Sequence, residues 1–144
     1  MGQMALMESR FDDPRKLRDM LGKAADMASS HELSSVVVGL AGREGDLLFP
    51  EIVDFVESAL RMDDSIFRMT RERAVLMLAD VDRGRASEIL ERLLNGFRER
   101  FSAAVDPEIF LAYFEVTPET HDVSVKRVLP MLFAPVERGT PAAS

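Results

Sequence analysis

The chain has 144 residues, 47% of them hydrophobic and 30% charged, carries a formal net charge of −7 and contains no cysteine. That length supports one full core and excludes two ordinary domains, and the composition excludes a disordered or fibrous chain. Without cysteine there is no disulfide, thiolate nucleophile or Cys-based zinc site, which fits a cytosolic protein, and the acidity opposes nucleic-acid binding, where gathered basic residues must neutralise phosphates.

No apolar run reaches the roughly 18 residues of a membrane span, and residues 1–8 lack a basic region followed by an apolar one, so neither a span nor a secretory signal is expected. Residues 1–11 and 134–144 are small, polar or proline-rich and are read as tails around a single domain at 12–133. Asp12, Asp13 and Pro14 open a helix whose stripe is Leu17, Met20, Leu21, Ala24 and Ala28, ending near Ser30. Residues 34–40 are short, β-branched and apolar on both faces, as in a central strand covered on both sides. Ile52, Val53, Phe55, Val56, Ala59 and Leu60 form a second helical stripe, starting at Pro50 and Glu51 and ending near Arg61.

Residues 65–68 and 73–78 flank a polar Thr70-Arg71-Glu72 and suggest a hairpin, although the turn lacks Asn-Gly or Gly-Gly. Ala86, Ile89, Leu90, Leu93, Leu94, Phe97 and Phe101 make the strongest helical stripe, opened by Asp82-Arg83-Gly84. Another strand follows Asp106-Pro107 at residues 109–116, and residues 123–133 form a last short helix broken by Pro130. The order α-β-α-β-β-α-β-α predicts an α/β (α+β) fold with a single mixed sheet of four to five strands flanked by helices. Residues 36–40 and 75–78 are expected as neighbouring central strands.

Over residues 45–78 the spacing is specific. Gly45-Asp46 precedes an amphipathic helix, then Arg61-Met62-Asp63-Asp64, a short strand with Arg68, Thr70-Arg71-Glu72-Arg73-Ala74 at a hairpin, and the apolar residues 75–78. Asp80 to Asp82 and Ala86 continue with an acidic loop and a helix. This series resembles, without a gap, the middle of a GGDEF (diguanylate cyclase) domain, and the resemblance extends over residues 34 to about 133.

The resemblance implies a domain that has lost catalysis. Diguanylate cyclases condense two GTP molecules with metal ions held by carboxylates. Where the family's metal aspartate ends the first strand, this chain has Gly39-Leu40-Ala41; the two signature glycines are Thr70 and Arg71; Glu72 keeps an acid, but Arg73 and Ala74 follow. Only Gly42, Arg43 and Glu44 stand where the family has about ten more residues and a base-reading asparagine. No catalytic residue, metal ligand or cofactor is therefore assigned. Arg61 and Asp64 match the family's inhibitory Arg-x-x-Asp, which binds cyclic di-GMP; the alternative is a helix-end arginine and a turn-capping aspartate, with replacement of either costing little stability.

His31 and His121 are isolated and read as surface residues; Asp80 and Asp82 read as turn and cap residues. No Gly-x-Ser-x-Gly supports serine hydrolase chemistry. Arginines of the long helix alternate with glutamates, as on a solvated face or a protein contact. Met62, Met69 and Met77 suit core filling, or otherwise a protein-binding surface. Two functions follow: a non-enzymatic protein-interaction module with an unidentified protein partner, or a cyclic di-GMP receptor acting through Arg61 and Asp64. A homodimer is compatible with either.

Overall fold

A computed structural model describes residues 11–101 and 108–134. The tails, and the Asp106-Pro107 lead into the last strand, lie outside the described residues apart from Phe11 and Ala134. Helix α1 (Pro14–His31) starts where the Asp13 carboxylate accepts from the Arg15 N–H at 2.9 Å, with proline in the first turn, and ends at Glu32 in the left-handed region at φ 55°. Strand β1 (Ser35–Ala41) is buried along its whole length. Helix α2 (Phe49–Ser58), strands β2 (Ser65–Arg68) and β3 (Arg73–Ala79), helix α3 (Arg83–Arg100), strand β4 (Phe110–Val116) and helix α4 (Val125–Leu132) follow. The Asp82 and Ser124 side chains cap α3 and α4 by accepting from the N–H groups of Arg85 and Arg127.

The four strands lie in the order β2-β3-β1-β4, so the two wholly apolar runs are neighbouring central strands as expected. Every pairing is antiparallel, where a mixed sheet was expected. The reason lies in which strand docks. After β1 and α2 the chain returns parallel to β1 in β2, but the more apolar β3 takes the place beside β1 and sets β2 one position outward. The same offset separates β3 from β4, with β1 between them.

Alternation along β1 splits the core. Val37 and Ala41 join α1, α4 and Phe133 on one face; Val36, Val38 and Leu40 join α2 and α3 on the other. At Gly39 an added Cβ would stand 2.7 Å from Leu132 Cβ and 2.8 Å from its carbonyl oxygen, so α4 approaches β1 as closely as only glycine permits.

Three local expectations are corrected. Helix α2 stops at Ser58 rather than near Arg61, because the Ser58 hydroxyl donates to the Phe55 carbonyl at 2.6 Å and Arg61 begins a turn of its own. Pro130 lies inside α4 without breaking it, on the exposed side of the helix, where its ring meets no packed neighbour element. Met77 fills the core and Met69 packs at its margin, but Met62 is 97% exposed.

Candidate functional site

The first candidate lies just past the C-terminal end of α2. The Asp64 side chain is 3% exposed, whereas that of Arg61 is 55% exposed. One Asp64 oxygen accepts from Arg61 Nε and from the Arg61 backbone N–H, each at 3.0 Å. The other accepts from Arg61 Nη2 at 3.1 Å and from the Ala79 N–H at 2.9 Å. Arg61 Nη2 also donates to the Ala79 carbonyl. Strand β2 ends its pairing with β3 at Ser65 and Met77, so Ala79 lies beyond the ladder. The side chains of Arg61 and Asp64 supply the missing partners for both of its backbone groups. Burial pushes the Asp64 carboxyl up, but hydrogen bonds from Arg61 and Ala79 outweigh it and hold the group below the ordinary 3.8. The Arg-x-x-Asp spacing thus brings its two residues together, in a clasp whose acceptors are already used within the chain. Asp63, between them, reaches Lys23 of α1 at 3.6 Å.

The second candidate is the β2–β3 hairpin, on which Thr70, Arg71, Glu72, Arg73 and Ala74 all fall. The turn closes without glycine: Met69 and Thr70 N–H groups donate to the Arg73 carbonyl at 3.0 and 3.1 Å, and the Thr70 hydroxyl accepts from the Glu72 N–H at 3.2 Å. Thr70 and Arg71 are exposed and Ala74 is buried. Glu72 turns toward the preceding loop, where its carboxylate accepts from the Gly45 N–H at 3.4 Å. That loop is tight, with Gly45 at φ 82° and the Asp46 carboxylate accepting from the Leu48 N–H at 2.9 Å.

Ala41 lies directly opposite Arg73 in the ladder. The Arg73 guanidinium rests over the Phe133 ring, 4.9 Å from its centroid. This end of the sheet thus presents a methyl group, a cation and an aromatic ring side by side. His31 ends α1 in an exposed position and His121 is exposed in a loop, while Asp82 caps α3 and Asp80 takes a left-handed turn conformation at φ 58°. Among the described residues, no three His, Cys, Asp or Glu side chains are grouped so as to hold a metal ion, and no helix is long and apolar enough to cross a membrane.

Missed by the sequence reading is a node at Arg68. It donates to Asp54 at 2.9 Å and Glu57 at 2.8 Å, tying β2 to α2, while the Asp12 carboxylate accepts from its backbone N–H at 2.8 Å. Arg68 borders a cavity of about 440 Å³ between the hairpin, the first turn of α2 and Phe11. Arg68 and the hairpin wall carried a signal only as part of the family pattern, with no hint of the acids that Arg68 binds, and Phe11 carried none.

The sequence matches no family model and no curated protein. Solved structures do match. The GGDEF domain of FimX from Pseudomonas aeruginosa superposes with a TM-score of 0.70 over 90% of this chain and 91% of that one, at 11% identity. The GGDEF domain of DgcB from Caulobacter crescentus, solved in complex with c-di-GMP, gives 0.68 over 92% and 90% at 12% identity. Diguanylate cyclase SiaD, solved in complex with its activator SiaC from Pseudomonas aeruginosa, gives 0.67 over 96% of this chain and 62% of that one at 23% identity. At these identities the likeness is one of fold, and by fold this chain is a GGDEF-like domain.

Proposed function

We propose that this domain has given up nucleotide cyclisation and acts as a regulatory module that binds a protein partner. The observation that carries the reading is the Ala41, Arg73 and Phe133 group at the end of β1 and β3. A fixed cation opposite a methyl group repels a divalent metal ion, and Glu72, the one acid of the hairpin, is directed at the Gly45 amide. Reversion at Gly39 is blocked as well, since Leu132 occupies the space a side chain would need. SiaD, a protein of this fold solved with a protein activator, supports the partner-binding half of the reading.

Incubation with GTP and Mg²⁺ or Mn²⁺ is expected to yield no cyclic di-GMP; turnover abolished by Glu72→Ala would overturn the loss of catalysis. Capture from source cells, followed by reconstitution with the purified partner, is expected to give a stoichiometric complex. Failure to form a complex with every protein captured removes the interaction reading.

The rival reading, cyclic di-GMP reception, draws on the exposed Arg61 guanidinium and on the ligand-bound DgcB structure. Against it, the Asp64 carboxylate is buried and committed to Arg61 and Ala79. Calorimetric titration with cyclic di-GMP up to hundreds of micromolar is expected to give no heat. Binding that Arg61→Ala weakens by about ten- to a hundredfold, the loss of one charge-assisted contact, would establish the receptor instead.

A further inference from the structure

The two edges of the sheet are finished differently. Strand β2, at one edge, is four residues long, and the approach to α1 closes it. The Asp12 N–H donates to the Arg68 carbonyl at 3.0 Å, and the Asp12 carboxylate accepts from the Arg68 N–H at 2.8 Å. Strand β4, at the other edge, is seven residues long and pairs only with β1 among the described residues. Hydrogen bonds just beyond the ladder fix which way its backbone groups point. The Val81 N–H donates to the Ser34 carbonyl at 3.2 Å and the Gly42 N–H to the Glu72 carbonyl at 2.8 Å, so even-numbered residues of β1 face β3 and odd-numbered ones face β4. The odd-numbered residues pair with 110, 112, 114 and 116. Leu111, Tyr113 and Glu115 therefore turn their N–H and C=O groups outward. Among the described residues only the Glu115 carbonyl is met there, by the Thr120 hydroxyl at 3.4 Å. Open edges are ordinarily blunted by proline, lysine or a bulge, and β4 has none of these.

Beside this edge, α3 carries a charge row that is its own complement. Arg83, Ser87 and Glu91 are exposed and follow one another at four-residue spacing along one face. Tyr113 ties the row to β4: the Arg83 guanidinium lies 5.4 Å from its ring centroid, and Ser87 and Glu91 lie near its hydroxyl. Neither Arg83 nor Glu91 has an ion pair among the described residues. We propose that two copies of this chain form a symmetric dimer through β4, the strands pairing antiparallel about Tyr113 into one continuous sheet. A two-fold axis there sets Leu111 against the second copy's Glu115 and keeps the two Glu115 carboxylates apart, where like charges directly opposite would destabilise. On the other face of the sheet it sets Phe114 against the second copy's Ala112, a ring beside a methyl group. Because Ser87 stands level with Tyr113, the same axis lays α3 antiparallel beside its copy, with Arg83 of each facing Glu91 of the other. A foreign strand can satisfy the open backbone groups, but the charge row is matched by its own reverse. The proposal rests neither on the loss of catalysis nor on the capture of another protein.

Sedimentation equilibrium of the full chain, from low to hundreds of micromolar, is expected to show a reversible monomer–dimer equilibrium. Arg83→Glu and Glu91→Arg each place like charges at both symmetric contacts and should weaken the dimer about tenfold or more. Both positions are exposed, and circular dichroism melts check that the variants fold. An equimolar mixture of the two variants restores opposite charges at both contacts and should associate as tightly as the original chain. Hydrogen exchange should find the amides of Leu111, Tyr113 and Glu115 protected in the dimer and open on dilution. A monomer at every concentration, a dimer that both variants leave unchanged, or a mixture no tighter than its components overturns the proposal. So does a monomer in which those three amides stay protected, since another segment of the same chain then covers the edge. None of these outcomes touches the cyclase and reconstitution assays, so the two readings fail separately.

Discussion

At Asp64 a single buried carboxylate accepts from the Arg61 backbone, the Arg61 guanidinium and the Ala79 N–H. Asp64→Ala leaves those donors without a partner, and because hydrogen bonds to a charged group contribute more than neutral ones, the expected loss is about 2–3 kcal/mol. Urea denaturation should show a lower midpoint with an unchanged slope. Asp64→Asn, which keeps an acceptor, should lose less. Arg61→Ala should cost about 1–3 kcal/mol although its side chain is 55% exposed, because it leaves the buried Asp64 carboxylate with only backbone donors and the Ala79 carbonyl without its partner. Since the folded carboxyl is held below 3.8, its contribution is present above that value and is lost as pH falls through the folded one. The acid limb of the stability curve should therefore be shallower in Asp64→Asn. The expectation that either replacement is nearly silent fails for both, since position in the chain reveals a helix end but not the strand terminus that the side chains satisfy.

Packing of α4 on β1 leaves no room for a side chain at Gly39. Gly39→Ala should destabilise by about 1–3 kcal/mol through overpacking, measured as a shift in the denaturation midpoint, and Gly39→Asp by more, because it buries a charge as well. Legibility followed how local each cause was. Strands β1 and β3 were readable because burial on both faces leaves residues 36–41 and 74–79 without a polar side chain, and α1, α3 and their caps because the signals lie within one turn. The Ser58 stop of α2 and the survival of Pro130 inside α4 were not, since the first depends on a hydroxyl turning back and the second on which side meets water. Spacing brought out Arg61 with Asp64 as a pair but not their common partner Ala79. The cavity was hidden for a related reason: its walls combine Phe11, Phe49 and Arg71 from three separate stretches of chain.

For the whole molecule, the sheet order places the most protected hydrogen bonds at its centre. Amides of residues 36–40 and 75–78, buried and paired in the ladder, should exchange with solvent most slowly, and those of residues 42–48 and 69–72 quickly, as read by native-state hydrogen exchange. The register also has a consequence for synthesis. Ser35 pairs with Ala79 on one side and with Val116 on the other, so β1 waits for its two neighbours, the second of which is made only after β3 and α3. A nascent chain halted before Phe110 would present one whole edge of β1, with its row of valines, to its surroundings. During that interval it depends on chaperones or on rapid continuation of translation, and stop codons between Asp80 and Ile109 should yield aggregates rather than shortened, working domains.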